Sequence, residues 1–376
     1  MRRAIITPTF KKHFCFIKKY LNSFDKYLLD RDFPICFIIA KSENKDFEKL
    51  ISKYKKSLNI KVFFLEDILK RFDIEETPEE LMTLYGRLSF QTIKKIYGAL
   101  YIAADQFLFL DSESMLIKPT NMTSLFEEYF KAPKFFISRI NNRKRTYNAN
   151  FTYEFINAIT SLMGEKAEYY TTESYEWFYE LRILKDSIKK MGEPIDVIRN
   201  YNMPDRHPNL EGILEALWYY QYILYNNIYG YKIYETDEEL KKFLGNKYHS
   251  FKYSFDSSPF WAVGILEVLT KFINKDNIKE LLNFYNKYNF SVIRMEMPLR
   301  SQNFEFQLEL LNHSNIHILA SNQEHLFVSG FKKSSKTFSF LIKNINTFIY
   351  PFKQGIRWIF SIFNMFIVLF KILVGK

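Results

Sequence analysis

Apolar and polar positions alternate along the first third of this chain in two distinct rhythms. Arg3–Thr9, Pro34–Ala40, Asn59–Leu65 and Gln106–Leu110 are short, nearly continuous apolar runs, the pattern of strands buried on both faces. Pro8 supplies an end to the first of them. Between the runs the spacing lengthens to the helical three and four. Phe14, Ile17, Tyr20, Leu21 and Phe24 predict a helix over His13–Phe24, Lys45–Leu58 predicts a polar-faced one, and Ile93, Ile96, Tyr97, Leu100 and Tyr101 predict one over Leu88–Ala104. Lys134–Ser138 reads as a further strand. Strands alternating with helices at these intervals predict an α/β fold, a mostly parallel sheet flanked by helices.

From Tyr153 to about Arg300 the pattern turns mainly helical and strongly aromatic, with Leu210–Tyr225 its clearest helix. Residues 1–325 therefore read as one domain, whose first 140 residues carry the sheet and whose residues 141–325 form a mainly helical half. Residues 326–376 differ: eight Lys or Arg and no Asp or Glu. The chain's formal charge of +11 belongs largely to this tail, since the remainder carries a surplus of only three. That distribution argues against nucleic acid, which asks for a basic patch on the folded domain. Trp358–Phe370 is uncharged and, at about 20 Å as a helix, is short of a hydrocarbon core of about 30 Å. Basic residues among Phe, Trp, Ile and Leu fit a segment lying on an anionic membrane surface. A C-terminal helix docked on the domain is the alternative.

Cys15 and Cys36 are the only cysteines, too few for a disulfide framework or a thiolate metal site, and the apolar stretch at the start is too short for a signal peptide's core. The expected location is cytoplasmic, peripheral on the inner face of the cell membrane. The aromatic content, 18% with 39 Phe and 26 Tyr, is high, but it has the look of a coding bias and is not read as a carbohydrate surface.

Chemistry concentrates where the fourth run ends, at Asp111-Ser112-Glu113. Ligands bind parallel sheets at the carboxyl ends of strands. Two carboxylates at i and i+2 there can share a hard cation, Mn²⁺ or Mg²⁺, which completes its shell with water and substrate phosphate. A polar turn is the alternative. With 11 glycines and no glycine-rich phosphate loop, metal-bridged phosphate is the economical route. Arg87, Gln91 and Lys94, at i, i+4 and i+7, share a helical face that can meet sugar or phosphate, or simply be solvated.

Ile5-Ile-Thr-Pro-Thr-Phe10, Arg87–Tyr97 and Phe107-Leu-Phe-Leu-Asp111-Ser-Glu113 followed by Met115–Pro119 together resemble nucleotide-sugar glycosyltransferases of the GT-A fold. The resemblance covers about residues 1–140 and rests on order and context. It departs in Glu113, where the family's D-x-D motif has Asp, and in Ala40–Glu43, which lacks the double acid many inverting members place against the base. The resemblance implies that Asp111 and Glu113 hold the metal and that Thr7, Pro8 and Thr9 line the nucleoside pocket; among the histidines, His249, in Lys247-Tyr-His-Ser250, is the candidate for a later metal or phosphate contact. The resemblance also implies an acidic helix after the metal motif, here carrying Glu211 and Glu215, with Glu215 the preferred base toward the acceptor hydroxyl. The donor is then a nucleotide sugar, a UDP-sugar first, and the acceptor a bacterial surface glycan or glycolipid, as in lipopolysaccharide or capsule. A nucleotidyltransferase or phosphohydrolase using the same acids, and a non-enzymatic membrane-peripheral protein, are the competing expectations.

Overall fold

The computed structural model describes residues 1–140, 156–171, 173–174, 176–200, 213–227, 229–248, 278–294 and 312–320. All fall within the unit Met1–Gln323. Four strands, β1 (Arg3–Pro8), β2 (Ile35–Ile39), β3 (Ile60–Phe64) and β4 (Gln106–Phe109), are parallel in the order β3-β2-β1-β4. Period-two burial explains why these runs become central strands. Ala4, Ile6, Cys36, Ile38, Phe107 and Phe109 face one core, and Ile5, Ile35, Phe37, Ile39, Leu108 and Leu110 the other. The second core is closed by helix α1 (Phe14–Tyr27) through Ile17, Tyr20, Leu21 and Phe24.

Helices α2 (Asn44–Ile51), α3 (Leu65–Arg71) and α4 (Pro78–Ile102) follow. The expected helix over 45–58 stops at Ile51 and continues only as a 3₁₀ turn at Tyr54–Lys56. Helix α4 begins ten residues before the periodicity predicts. Thr77 and Glu80 form a capping box, with Pro78 at the first helical position. Gly86, at φ +77°, breaks it, so Arg87 opens a second straight segment. That segment lies close on β2: a Cβ on Gly98 would meet Ile38 Cδ1 at 2.2 Å.

The mainly helical second half also supplies strands. β8 (Phe178–Glu180) adds to β4 antiparallel and completes a five-stranded sheet. β5 (Met115–Leu116) pairs antiparallel with β11 (Ile318–Ala320), which pairs parallel with β10 (Val292–Arg294). β6 (Lys134–Arg139) sits between β7 (Tyr169–Tyr170) and β9 (Lys232–Glu235). Helix α5 (Met122–Lys131) leads into β6. Among the described residues no helix is long and apolar enough to cross a membrane.

Candidate active site

Strands β2 and β3 lie on one side of β1 and β4 on the other, so the strand order reverses between β1 and β4. Crevices open at the carboxyl ends of strands at such a reversal. Two loops meet there. Thr9 follows β1 and is tied to β2 through its N–H on Ile38 O at 2.9 Å; Asp111–Ser114 follows β4 as a turn closed by Ser114 N–H on Asp111 O at 3.0 Å. The buried Ser112 hydroxyl donates to Thr9 Oγ1 at 3.0 Å and links the loops.

Two adjacent lysines of α4 rise into this junction from below. Lys95, its side chain 5% exposed, stands 2.6 Å from Glu215 Oε1 and 3.4 Å from Asp111 Oδ1, with Nζ 4.7 Å from the centre of the Trp177 ring. Burial lowers its pKa, but Asp111 and Glu215 outweigh that and raise it to about 12. Lys94 is as deeply placed but meets a carbonyl instead of an acid, donating to Thr9 O at 3.1 Å. Burial pulls its pKa down to about 8, against a smaller opposing pull from Glu43 and Glu66. The junction thus holds one ammonium already neutralised and one poised for an anion.

Asp111 is the open member, with 34% of its side chain exposed. Glu113 is more enclosed, its Oε2 3.9 Å from His13 Nδ1 at the foot of α1. Among the described residues no three His, Cys, Asp or Glu side chains are grouped to hold a metal. Mg²⁺ and Mn²⁺ need only one or two carboxylates when substrate phosphate supplies the rest. The hard oxygens of Asp111 and Glu113 fit that chemistry.

The expected site residues separate accordingly. Thr9 and Lys94 join Asp111 at the crevice, whereas Thr7 is fully enclosed and its hydroxyl donates to Tyr20 Oη at 3.2 Å, so its side chain supports the strand and faces no ligand. Pro8 is half-buried at the strand's end. On α4, Arg87 is exposed, Gln91 half-buried and Lys94 buried, so they do not form one evenly accessible face. Glu211 and His249 lie outside the described residues.

Glu215 needs the largest correction. The helix expected over Leu210–Tyr225 starts at Glu215, after an extended Leu214. Thr92 Oγ1 donates to the Ile213 carbonyl and stands 3.4 Å from Glu215 Oε2. With 1% of its side chain exposed and an ion pair to Lys95, Glu215 lacks the access that a base for an incoming hydroxyl needs. It is the anchor of Lys95, whose part the sequence did not disclose.

No known family's sequence profile matches the chain, and no curated protein does. Solved structures give distant likenesses. Staphylococcus aureus TarS is 14% identical at a TM-score of 0.33, over 77% of this chain and 49% of that one, so this chain spans about half its length. Mouse xyloside xylosyltransferase 1 in its apo form is 10% identical at 0.36, over 70% of this chain and 96% of that one. Core-mannan synthase A of Aspergillus fumigatus, in an Mn/GDP form, is 7% identical at 0.36, over 59% and 69%.

Proposed function

We propose that this chain is a metal-dependent glycosyltransferase that moves a sugar from a nucleotide-sugar donor, a UDP-sugar first, to a bacterial surface-glycan or glycolipid acceptor. The observation that carries the reading is the convergence of Asp111, Lys94 and Lys95 where the order of the parallel strands reverses. A diphosphate carries its charge on oxygens; the crevice offers it a carboxylate turn suited to a cation and a buried ammonium that makes no ion pair among the described residues. When bound there, Mn²⁺ or Mg²⁺ supplies Lewis-acid stabilisation of the departing diphosphate. Asp111 and Glu113 would hold it. Lys95, locked by Glu215, fixes the direction of Asp111. Lys94 lies at the β1 loop and faces developing negative charge, and the Ser112–Thr9 bond keeps the two loops in register. The base for the acceptor is left to residues outside this cluster.

The test is incubation with a panel of nucleotide sugars and Mn²⁺. Slow sugar-nucleotide hydrolysis with release of nucleoside diphosphate is the expected result. Nucleotide transfer, or phosphate release without sugar release, would assign the acids to another enzyme class.

Lys94 gives this reading a pH signature. A lysine whose pKa is about 8 when folded, against 10.5 ordinarily, binds fewer protons folded than unfolded between those values. Its cost to stability is therefore fully present below pH 8 and is relieved as pH rises through that window. A bound diphosphate favours the ammonium, so binding above pH 8 takes up a proton and weakens by up to about tenfold per pH unit. Calorimetry at pH 8.5 in buffers of different ionisation enthalpy should register the uptake, and Lys94→Met should abolish it.

Residues 326–376 are proposed to hold the enzyme on the inner face of the cell membrane through anionic lipid. A chain ending at Glu324 should remain folded and active on soluble acceptors while leaving the membrane fraction. High salt should release the full chain only in part, because the apolar Trp358–Phe370 contribution is not screened. Aggregation of the shortened chain would instead make the tail part of the core.

A further inference from the structure

A second concavity is lined by residues other than those around Asp111. Arg3, at the amino end of β1, reaches α5 through Glu127 at 3.0 Å. The next residues of α5, Glu128 and Tyr129, line a cavity of about 470 Å³. It is also lined by the opening residues of β6 and β9, Lys134 and Lys232, and by Lys287 at the end of the helix Ile278–Lys287.

The charges here are arranged against their own interest. Lys134 and Lys232 are register partners in neighbouring parallel strands, and like charges so placed repel. Lys134 is compensated from behind by the buried Glu176, 3.0 Å from its Nζ. Lys232 and Lys287 make no ion pair among the described residues. The one carboxylate in the cavity wall, Glu128, already accepts from Asn289 Nδ2 at 2.7 Å. His317, also in the wall, adds no charge: burial and the nearby Lys118 lower its pKa to about 4.

The wall is also built in advance. Asn289 sits in the left-handed region at φ +50°, which Asn tolerates better than most residues. Its carbonyl accepts from Lys134 Nζ at 3.2 Å and its Oδ1 from Asn315 Nδ2 at 2.9 Å. Tyr288 is held by a hydrogen bond to Glu239, and Tyr234 stacks on Phe136 at 5.2 Å between ring centres. Lys287 lies over the Tyr288 ring at 5.0 Å, and a preformed, aromatic-walled cavity of this size whose rim cations make no ion pair among the described residues has the character of a ligand site.

We infer that this cavity binds a phosphate group carried by a polar molecule, with Lys232 and Lys287 as its charged contacts, Lys134 and Asn289 as its fixed floor and the tyrosine faces against the body of the ligand. The site shares no residue with the proposed transferase chemistry and does not depend on it. The phosphate can belong to a soluble sugar phosphate or to a lipid head group.

The experiment uses the full chain in metal-free buffer. Inorganic phosphate and a hexose phosphate should each raise Tm of the unaltered protein, and Lys232→Gln with Lys287→Gln should weaken binding by at least about tenfold. Without ligand the same double variant should melt no lower than the parent, since it relieves repulsion; this separates lost binding from lost folding. Lys287→Arg should keep most of the effect. Vesicles of phosphatidic acid in phosphatidylcholine form the second arm. Flotation that falls in the double variant, the tail being identical in both chains, assigns the phosphate to a lipid; soluble binding without such a fall assigns it to a free metabolite. No response to any of these probes, or a response that survives Lys232→Gln/Lys287→Gln and disappears in Lys94→Met, would overturn the inference.

Discussion

Asp111→Asn should reduce sugar transfer by on the order of a thousandfold, the scale of losing a group aimed at developing charge, and should remove Mn²⁺-dependent binding of nucleoside diphosphate. The shape is retained and only the charge is lost, so the accompanying loss of Mn²⁺-dependent binding is what ties the effect to the cation and separates it from the weakened pair with Lys95. Folding should change by no more than about 1 kcal/mol, because a third-exposed carboxylate contributes little to stability and Lys95 keeps its closer partner Glu215. Glu113→Ala should be comparably damaging, whereas Glu113→Asp should be the mildest change, retaining a carboxylate on a shorter arm. Turnover that persists in EDTA, together with donor binding by Asp111→Ala, would take the metal out of the mechanism.

The second large effect is on stability and activity together. Lys95→Met strands the Glu215 carboxylate at 1% exposure with no counter-ion among the described residues. Breaking such a buried pair from one side costs about 3–5 kcal/mol, read as a lowered urea midpoint at unchanged slope. Lys95→Met with Glu215→Leu removes both charges and should recover most of the stability, yet not the activity, because Asp111 has then lost the ammonium that orients it. Recovery of both would reduce the pair to a structural filler. Glu215→Gln keeps a hydrogen-bond acceptor for Lys95. If Glu215 is an anchor, the pH–rate profile keeps its acidic limb in this variant; if it is the base, that limb disappears.

Much of this was legible in the sequence, for a reason that also marks where legibility stopped. Strands β1 to β4 are buried on both faces, and apolar runs such as Ile35–Ile39 state that directly. Asp111 and Glu113 were visible because they interrupt such a run. Strand β5, two residues long, was expected only through the resemblance that Met115–Pro119 carries; β7 is also two residues long and β8, β10 and β11 three, too short for any period to emerge, and each is held by a partner remote in sequence. Lys95 was hidden more thoroughly. Next to Lys94, and off the face marked by Ile93, Ile96 and Tyr97, it has the pattern of a solvated residue. It is buried because Glu215 and Trp177, 120 and 82 positions away, cover that side of α4. The start of α4, by contrast, was written in Thr77-Pro-Glu-Glu80, a capping box that periodicity alone passes over.

The pairing of β5 with β11 bears on how the chain is made. Met115 and Leu116 leave the ribosome some two hundred residues before Leu319 and Ile318, their partners, and β4 waits for Phe178–Glu180 before its outer edge is covered. At about 5–20 residues per second, the nascent chain carries unpaired strand edges for about ten seconds or longer. An unpaired edge is an invitation to the wrong partner. Expression yield of this protein should therefore respond to translation speed and to chaperone supply more than its final stability would suggest, and chains stopped before Ile318 should aggregate rather than accumulate as soluble fragments.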